Sequence, residues 1–136
     1  MKLFLSMLFM LIGIATRAES HLYLTRDLPN SGTQGIELVC LDKPKLCRVS
    51  RTLNSSDSGF KDLPQPQAEA MFKGFARDLE KIPAGRVATT TGRALRLDFA
   101  YGKTRRKETM AFEGTHSTQT QLIFMKIEAG LEAALQ

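Results

Sequence analysis

Residues 36–53 read IELVCLDKPKLCRVSRTL, and they hold both cysteines of the 136-residue chain. Ile36, Leu38 and Cys40 alternate along one arm with Glu37 on the opposite side, and Cys47, Val49 and Arg51 alternate along the other. Such period-two alternation marks strands with one buried face. A turn over Asp42–Lys45 sets Leu41 opposite Leu46 and Cys40 opposite Cys47. Pro44 suits that turn, because it has no N–H to give a ladder and holds Lys43 extended. Directly opposed positions in an antiparallel pair are close enough for the Cβ separation of roughly 3.5–4.5 Å that a disulfide needs. The stretch therefore predicts a hairpin closed by a Cys40–Cys47 disulfide, worth about 2 kcal/mol at best for so short a loop. A redox pair is usually spaced Cys-x-x-Cys beside a helix N-terminus. A zinc site needs three or four ligands, and the only histidines, His21 and His116, lie far away in sequence. No metal or cofactor is expected.

A disulfide implies an oxidising compartment, and the N-terminus agrees. Lys2 precedes an apolar run from Leu3 to Ile14, followed by the small residues Ala15, Thr16 and Ala18. That is the plan of a signal peptide, and the run is shorter than the about 20 residues a spanning helix needs. Residues 1–18 are therefore expected to be a signal peptide cut after Ala18, with Ala15 as the alternative, leaving a mature chain without a transmembrane span. The expected location is periplasmic or secreted. Removing Lys2 and Arg17 from the 19 basic residues leaves 17 against 14 acidic ones, a mature net charge of +3. That is far from the charge density of a dedicated nucleic-acid binder. Residues 19–136 have the size of one domain.

Outward from the hairpin, HLYLTR (residues 21–26) alternates weakly as a short first strand, and Pro29-Asn30-Ser31-Gly32 marks a turn. Residues 54–67, NSSDSGFKDLPQPQ, read as a long loop that still carries Phe60 and Leu63. A helix follows, with Pro66 in its first turn and Ala68, Phe72, Phe75, Leu79 and Ile82 on one stripe; Pro83 and Gly85 end it. Arg86–Thr89 reads as a short strand. Leu95, Leu97, Phe99 and Tyr101 line one face of the next strand, which turns at Gly102-Lys103 into a return arm through Arg106, Glu108, Met110 and Phe112. A second helix from Thr118 carries Phe124, Ile127, Leu131 and Leu135, widened by Ile123 and Ala134. The expected fold is α+β: an antiparallel sheet from two hairpins in ββαββα order, two helices packed on one face, and one disulfide. The other sheet face is expected to be partly polar, carrying Arg96, Asp98 and Lys107.

Catalytic patterns are missing. His116-Ser117 is the notable juxtaposition, and it sits where a helix N-terminus needs polar caps. Asp57 and Asp62 lack the spacing of a calcium loop, and no glycine-rich phosphate loop occurs. The chain is read as a non-enzyme. Its dense charged feature is Lys103, Arg105, Arg106 and Lys107, to which Lys43 and Lys45 of the first hairpin add; this candidate basic patch suits an anionic polymer or acidic partner.

The segment LRLDFAYGKTRRKETMAFEG (residues 95–114), followed by a helix and preceded by a hairpin and helix from about Gly35, resembles in its order of elements the emfourin-type inhibitors of thermolysin-like metalloproteases. The resemblance implies a small exported binding protein acting on another protein, most concretely a protease. On that reading a hairpin tip or the 54–65 loop, with Ser58, Phe60, Lys61 and Leu63 as candidate recognition residues, meets the partner. The alternative is an envelope or extracellular accessory domain that binds an anionic polymer or acidic partner through the basic hairpin. Specific nucleic-acid binding is not expected.

Overall fold

The computed structural model describes residues 18–42, 45–83, 93–111 and 118–136. Its elements are β1 (Ala18–Asp27), β2 (Thr33–Leu41), β3 (Leu46–Leu53), β4 (Ser56–Leu63), α1 (Gln65–Glu80), β5 (Ala94–Tyr101), β6 (Thr104–Ala111) and α2 (Thr118–Leu135). The strands form one six-stranded sheet in the order β4-β3-β2-β1-β5-β6, antiparallel throughout. Among the described residues the fold is α+β with two helices and one disulfide, as expected, but the order of elements is ββββαββα rather than ββαββα. Residues 1–17 of the expected signal peptide, the strand expected at 86–89, Lys43, Pro44, Gly85, Phe112 and His116 lie outside the described residues.

The correction has two parts. First, HLYLTR belongs to a full central strand, paired with β2 on one side and β5 on the other. Leu22 and Leu24 are fully or almost fully buried there. Second, the Ser- and Asp-rich segment is no long loop. Asn54 and Ser55 both have positive φ, 51° and 65°, and form a two-residue hairpin turn that sends the chain back as β4. Two left-handed residues give the turn a twist that matches the flanking strands. The amide of Thr33 donates to Asn54 Oδ1 (2.9 Å) and that of Asn54 to Thr33 O (2.8 Å), which seats the turn against β2.

The hairpins read from sequence keep their register. Cys40 opposes Cys47, Leu41 opposes Leu46, and the disulfide joins β2 to β3. At the other hairpin Gly102 takes φ of 58°, a conformation open to glycine, and Tyr101 pairs with Thr104.

One sheet face carries Leu22, Leu24, Ile36, Leu38, Val49, Leu97 and Phe99, all buried. Both helices cover it, α1 with Ala68, Phe72, Phe75 and Leu79 and α2 with Ile123, Phe124, Ile127 and Leu131. Phe72 is central: its ring stacks on Tyr101 at 5.4 Å and meets Phe99 at 6.1 Å. Burying side chains of this size stabilises by about 1.5–3 kcal/mol each. Charged groups fix the margins. Arg26 pairs with Glu128 (2.6 Å) and Arg51 with Glu132, tying the sheet to α2. Buried Asp78 of α1 accepts Lys126 of α2 (3.1 Å).

Arg106 departs from its expected place in the basic patch. Alternate residues of β6 point to opposite faces, so Arg106 turns inward with Glu108 while Arg105 and Lys107 turn outward. Its guanidinium donates to Leu79 O (2.7 Å) and Ile82 O (3.0 Å) at the C-terminus of α1 and to Glu108 (2.6 Å). Carbonyls at a helix end lack intrahelical donors, so this arginine holds α1 to the sheet edge. Arg106→Ala leaves Glu108 buried without its cation. It should cost about 3 kcal/mol in urea denaturation, against at most about 0.5 kcal/mol for exposed Arg105→Ala. Equal losses for the two variants would contradict the assignment.

Candidate functional site

The face turned away from the helices is built by the same strand alternation. Across it the registers align Lys107, Asp98, Tyr23, Glu37, Ser50 and Phe60, one residue from each strand. The next row towards the β3–β4 turn is Thr109, Arg96, Thr25, Gly35, Thr52 and Asp57. A concavity of about 580 Å³ opens between the two rows, lined by Tyr23, Glu37 and Asp98 of the first and Thr25, Thr52, Asp57 and Arg96 of the second. Gly35, between Thr25 and Thr52 in the second row, is closely approached: a Cβ there would lie 2.5 Å from Thr52 Oγ1. A side chain at that position would displace Thr52.

Polar contacts order the surface around the concavity. The His21 ring stacks on Tyr23 at 4.5 Å, and its Nε2 lies 3.2 Å from Asp98 Oδ1. Ser50 donates to Glu37 (3.1 Å). Arg96 holds Asp27 through both carboxylate oxygens (2.7 and 2.8 Å), and the Ala94 amide adds a bond to the same group (3.0 Å). The Arg96 bond keeps the Asp27 carboxyl below its usual range against the opposing effect of burial, with the Ala94 amide and the Arg96 charge adding to it. Towards β4, Arg48 lies over the exposed Phe60 ring at 4.0 Å and bonds Asp62 at 2.7 Å. Tyr23 is directly opposed by Glu37 on β2 and Asp98 on β5. Burial, then these two carboxylates, push its phenol above the ordinary value.

Chemically, the surface offers hydrogen-bonding groups, one sheltered aromatic ring and fixed charges. Among the described residues no hydroxyl lies within hydrogen-bond distance of His21, and no three His, Cys, Asp or Glu side chains gather as metal ligands. No helix among the described residues is long and apolar enough to cross a membrane.

The recognition residues read from sequence lie on β4, an edge strand. Phe60 is exposed on the open face, Ser58 Oγ donates to Arg51 O (3.2 Å) at a bulge, Lys61 is exposed, and Leu63 is buried in the core. Of the basic set, Arg105 and Lys107 face outward on β6, and Lys45 and Lys103 are exposed at the two hairpin turns. Those turns share one end of the sheet, since both flank the start of β1; three strand spacings separate them by about 14 Å. Arg96, Asp98 and Lys107 occupy the polar face assigned to them. Tyr23 and Glu37 come as new members, and the alternation in HLYLTR and IELVC was their signal. Compared with known proteins, the chain matches no family model, no curated protein and no solved structure.

Titration of Tyr23 tests the electrostatics of this face. In a Tyr101→Phe background, Tyr23 should ionise above about 10 by absorbance, and Glu37→Gln with Asp98→Asn should lower the midpoint without restoring it fully, because burial remains. The phenol's protonation-linked stability should be intact below the unfolded value and lost as pH rises through the folded one. An unmoved midpoint in the double variant would show that the carboxylates do not act on the ring.

Proposed function

We propose that the chain is a small exported, non-enzymatic binding protein that receives another protein on the open face of its sheet. The observation that carries this reading is the asymmetry of the sheet: both helices cover one face, and the other presents a hollow framed by Tyr23, Glu37, Arg96 and Asp98. Ligand sites favour concave surfaces with a few convergent polar groups. Export is supported by the charged, apolar and small-residue sequence before Glu19 and by the Cys40–Cys47 disulfide. Cleavage after Ala18 would leave β1 intact from its second residue onward.

A protease is the partner class implied by the resemblance to emfourin-type inhibitors. With the observed order of elements, that reading rests on β4, whose outer edge is unpaired and whose residues are exposed up to Leu63. Extended edges are recognised by strand addition. The basic-patch alternative draws on the shared position of Lys45 and Lys103 at one end of the sheet, beside outward Arg105.

Binding to proteins of the source's secretome, protease fractions included, separates these readings. Thr109→Trp sets a large ring over the hollow with a residue that suits a strand, and should weaken capture of an open-face partner at least tenfold. Lys73→Glu, on the exposed side of α1, should leave capture unchanged. Loss through Lys61→Glu with Thr109→Trp silent would favour the β4 edge. Steep salt dependence lost in Lys103→Glu and Arg105→Glu would favour the polyanion.

A further inference from the structure

We propose that the hollow beside Tyr23 seats a lysine or arginine side chain of the protein partner, held against the phenol ring between Glu37 and Asp98. The inference rests on the open face being the binding surface, and it names the chemistry of the occupant.

The ring is presented from one side. His21, two residues before Tyr23, stacks on it at 4.5 Å with planes 17° apart, so that side is filled. Thr25 lies two residues after, and Thr25 and Thr52 of its row line the hollow. The second side of the phenol therefore borders open space. Aromatic faces attract ammonium and guanidinium groups within about 6 Å of the ring centre.

Charge selects the same class of group. Glu37, Asp57 and Asp98 line the hollow. Among the described residues none of the three has a lysine or arginine within ion-pair distance: Glu37 accepts from the Ser50 hydroxyl, and Asp98 from His21. Arg96, the arginine in the wall, is committed to Asp27 through two bonds. Lys107 at the rim and the charge of Arg48 near Asp57 offset the three carboxylates only in part. A chain of net charge +5 thus keeps an acidic hollow at the centre of its open face. The upward displacement of the Tyr23 phenol agrees, because it reports burial and the negative field of the same two carboxylates. An anionic group placed there would meet net repulsion, and a neutral apolar one would leave the carboxylates unserved.

A protein source fits the dimensions. The open face spans six strands, about 24 Å at ordinary strand spacing. Phe60 and Arg48 at its β4 side and Lys107 at its β6 side offer contacts that a small free amine cannot reach.

The test uses the mature chain and a pentapeptide with one central lysine, its acetyl-lysine counterpart, and free n-butylammonium, read by amide chemical shifts. The lysine peptide should shift the amides of Tyr23, Thr25, Gly35 and Asp98 saturably. The acetylated peptide should not, and Glu37→Gln with Asp98→Asn should weaken binding about tenfold, with the amide spectrum certifying the fold. Equal binding of the acetylated peptide, or binding indifferent to the double variant, would overturn the proposal. Butylammonium binding as tightly as the peptide would overturn the protein source. If Thr109→Trp abolishes partner capture while Glu37→Gln with Asp98→Asn leaves it intact, the cation seat fails and the open-face reading survives. If capture ignores Thr109→Trp, the open-face reading itself fails.

Discussion

The molecule depends on the double pairing of β1. Its left neighbour comes from the meander β2–β3–β4 and its right neighbour from the C-terminal hairpin. Leu22 and Leu24 fill the middle of the core between Leu38 and Ile36 on one side and Phe99 and Leu97 on the other. A fault in this strand would divide the sheet into a three-stranded and a two-stranded piece, each with half a hydrophobic face. The same strand carries His21 and Tyr23 on its reverse side. Core and candidate site are thus two faces of one ten-residue segment.

Burial of charge follows from this arrangement. Arg26, Arg51 and Arg106 stand on the helix-covered face near its margins, and each meets a glutamate. The first two bonds are half exposed and contribute modestly. The Arg106–Glu108 pair is sheltered, and the guanidinium also serves two carbonyls of α1, so its partners are satisfied together. These commitments engage three arginines with carboxylates, and Arg106 is withdrawn from the surface. The centre of the open face carries the carboxylates of Glu37, Asp57 and Asp98.

The sequence was most informative where burial forces a pattern. Cys40, Leu41, Leu46 and Cys47 face one another as their alternation required, and the stripes of α1 and α2 are the buried ones. β4 escaped because an edge strand is held by backbone bonds to β3 alone, and its side chains need not be apolar. Ser56, Asp57, Ser58 and Gly59 therefore look like loop. Asn54 and Ser55 carried the missing hint, since asparagine tolerates the left-handed conformation this turn adopts. In KTRRK the compact run of cations concealed the pleat, which separates Arg106 from Arg105 and Lys107. The candidate site was half legible. Asp98, Arg96 and Lys107 share a hairpin, whereas Tyr23 and Glu37 join them only through long-range register.

The pairing of β1 with β5 also imposes an order of assembly. His21 and Asp98 are 77 residues apart, so this junction closes a long loop. Such contacts form slowly compared with local hairpins. The meander from β1 to β4 is joined by short turns and is complete in the chain long before β5 emerges. Until then one side of β1 remains an unsatisfied edge, with Leu22 and Leu24 uncovered by the later hairpin and by α2. A chain threaded through a membrane from its N-terminus would thus present its central strand first and gain its final partner last. Delayed closure of this kind makes the interval before β5 arrives the time of greatest exposure to mispairing.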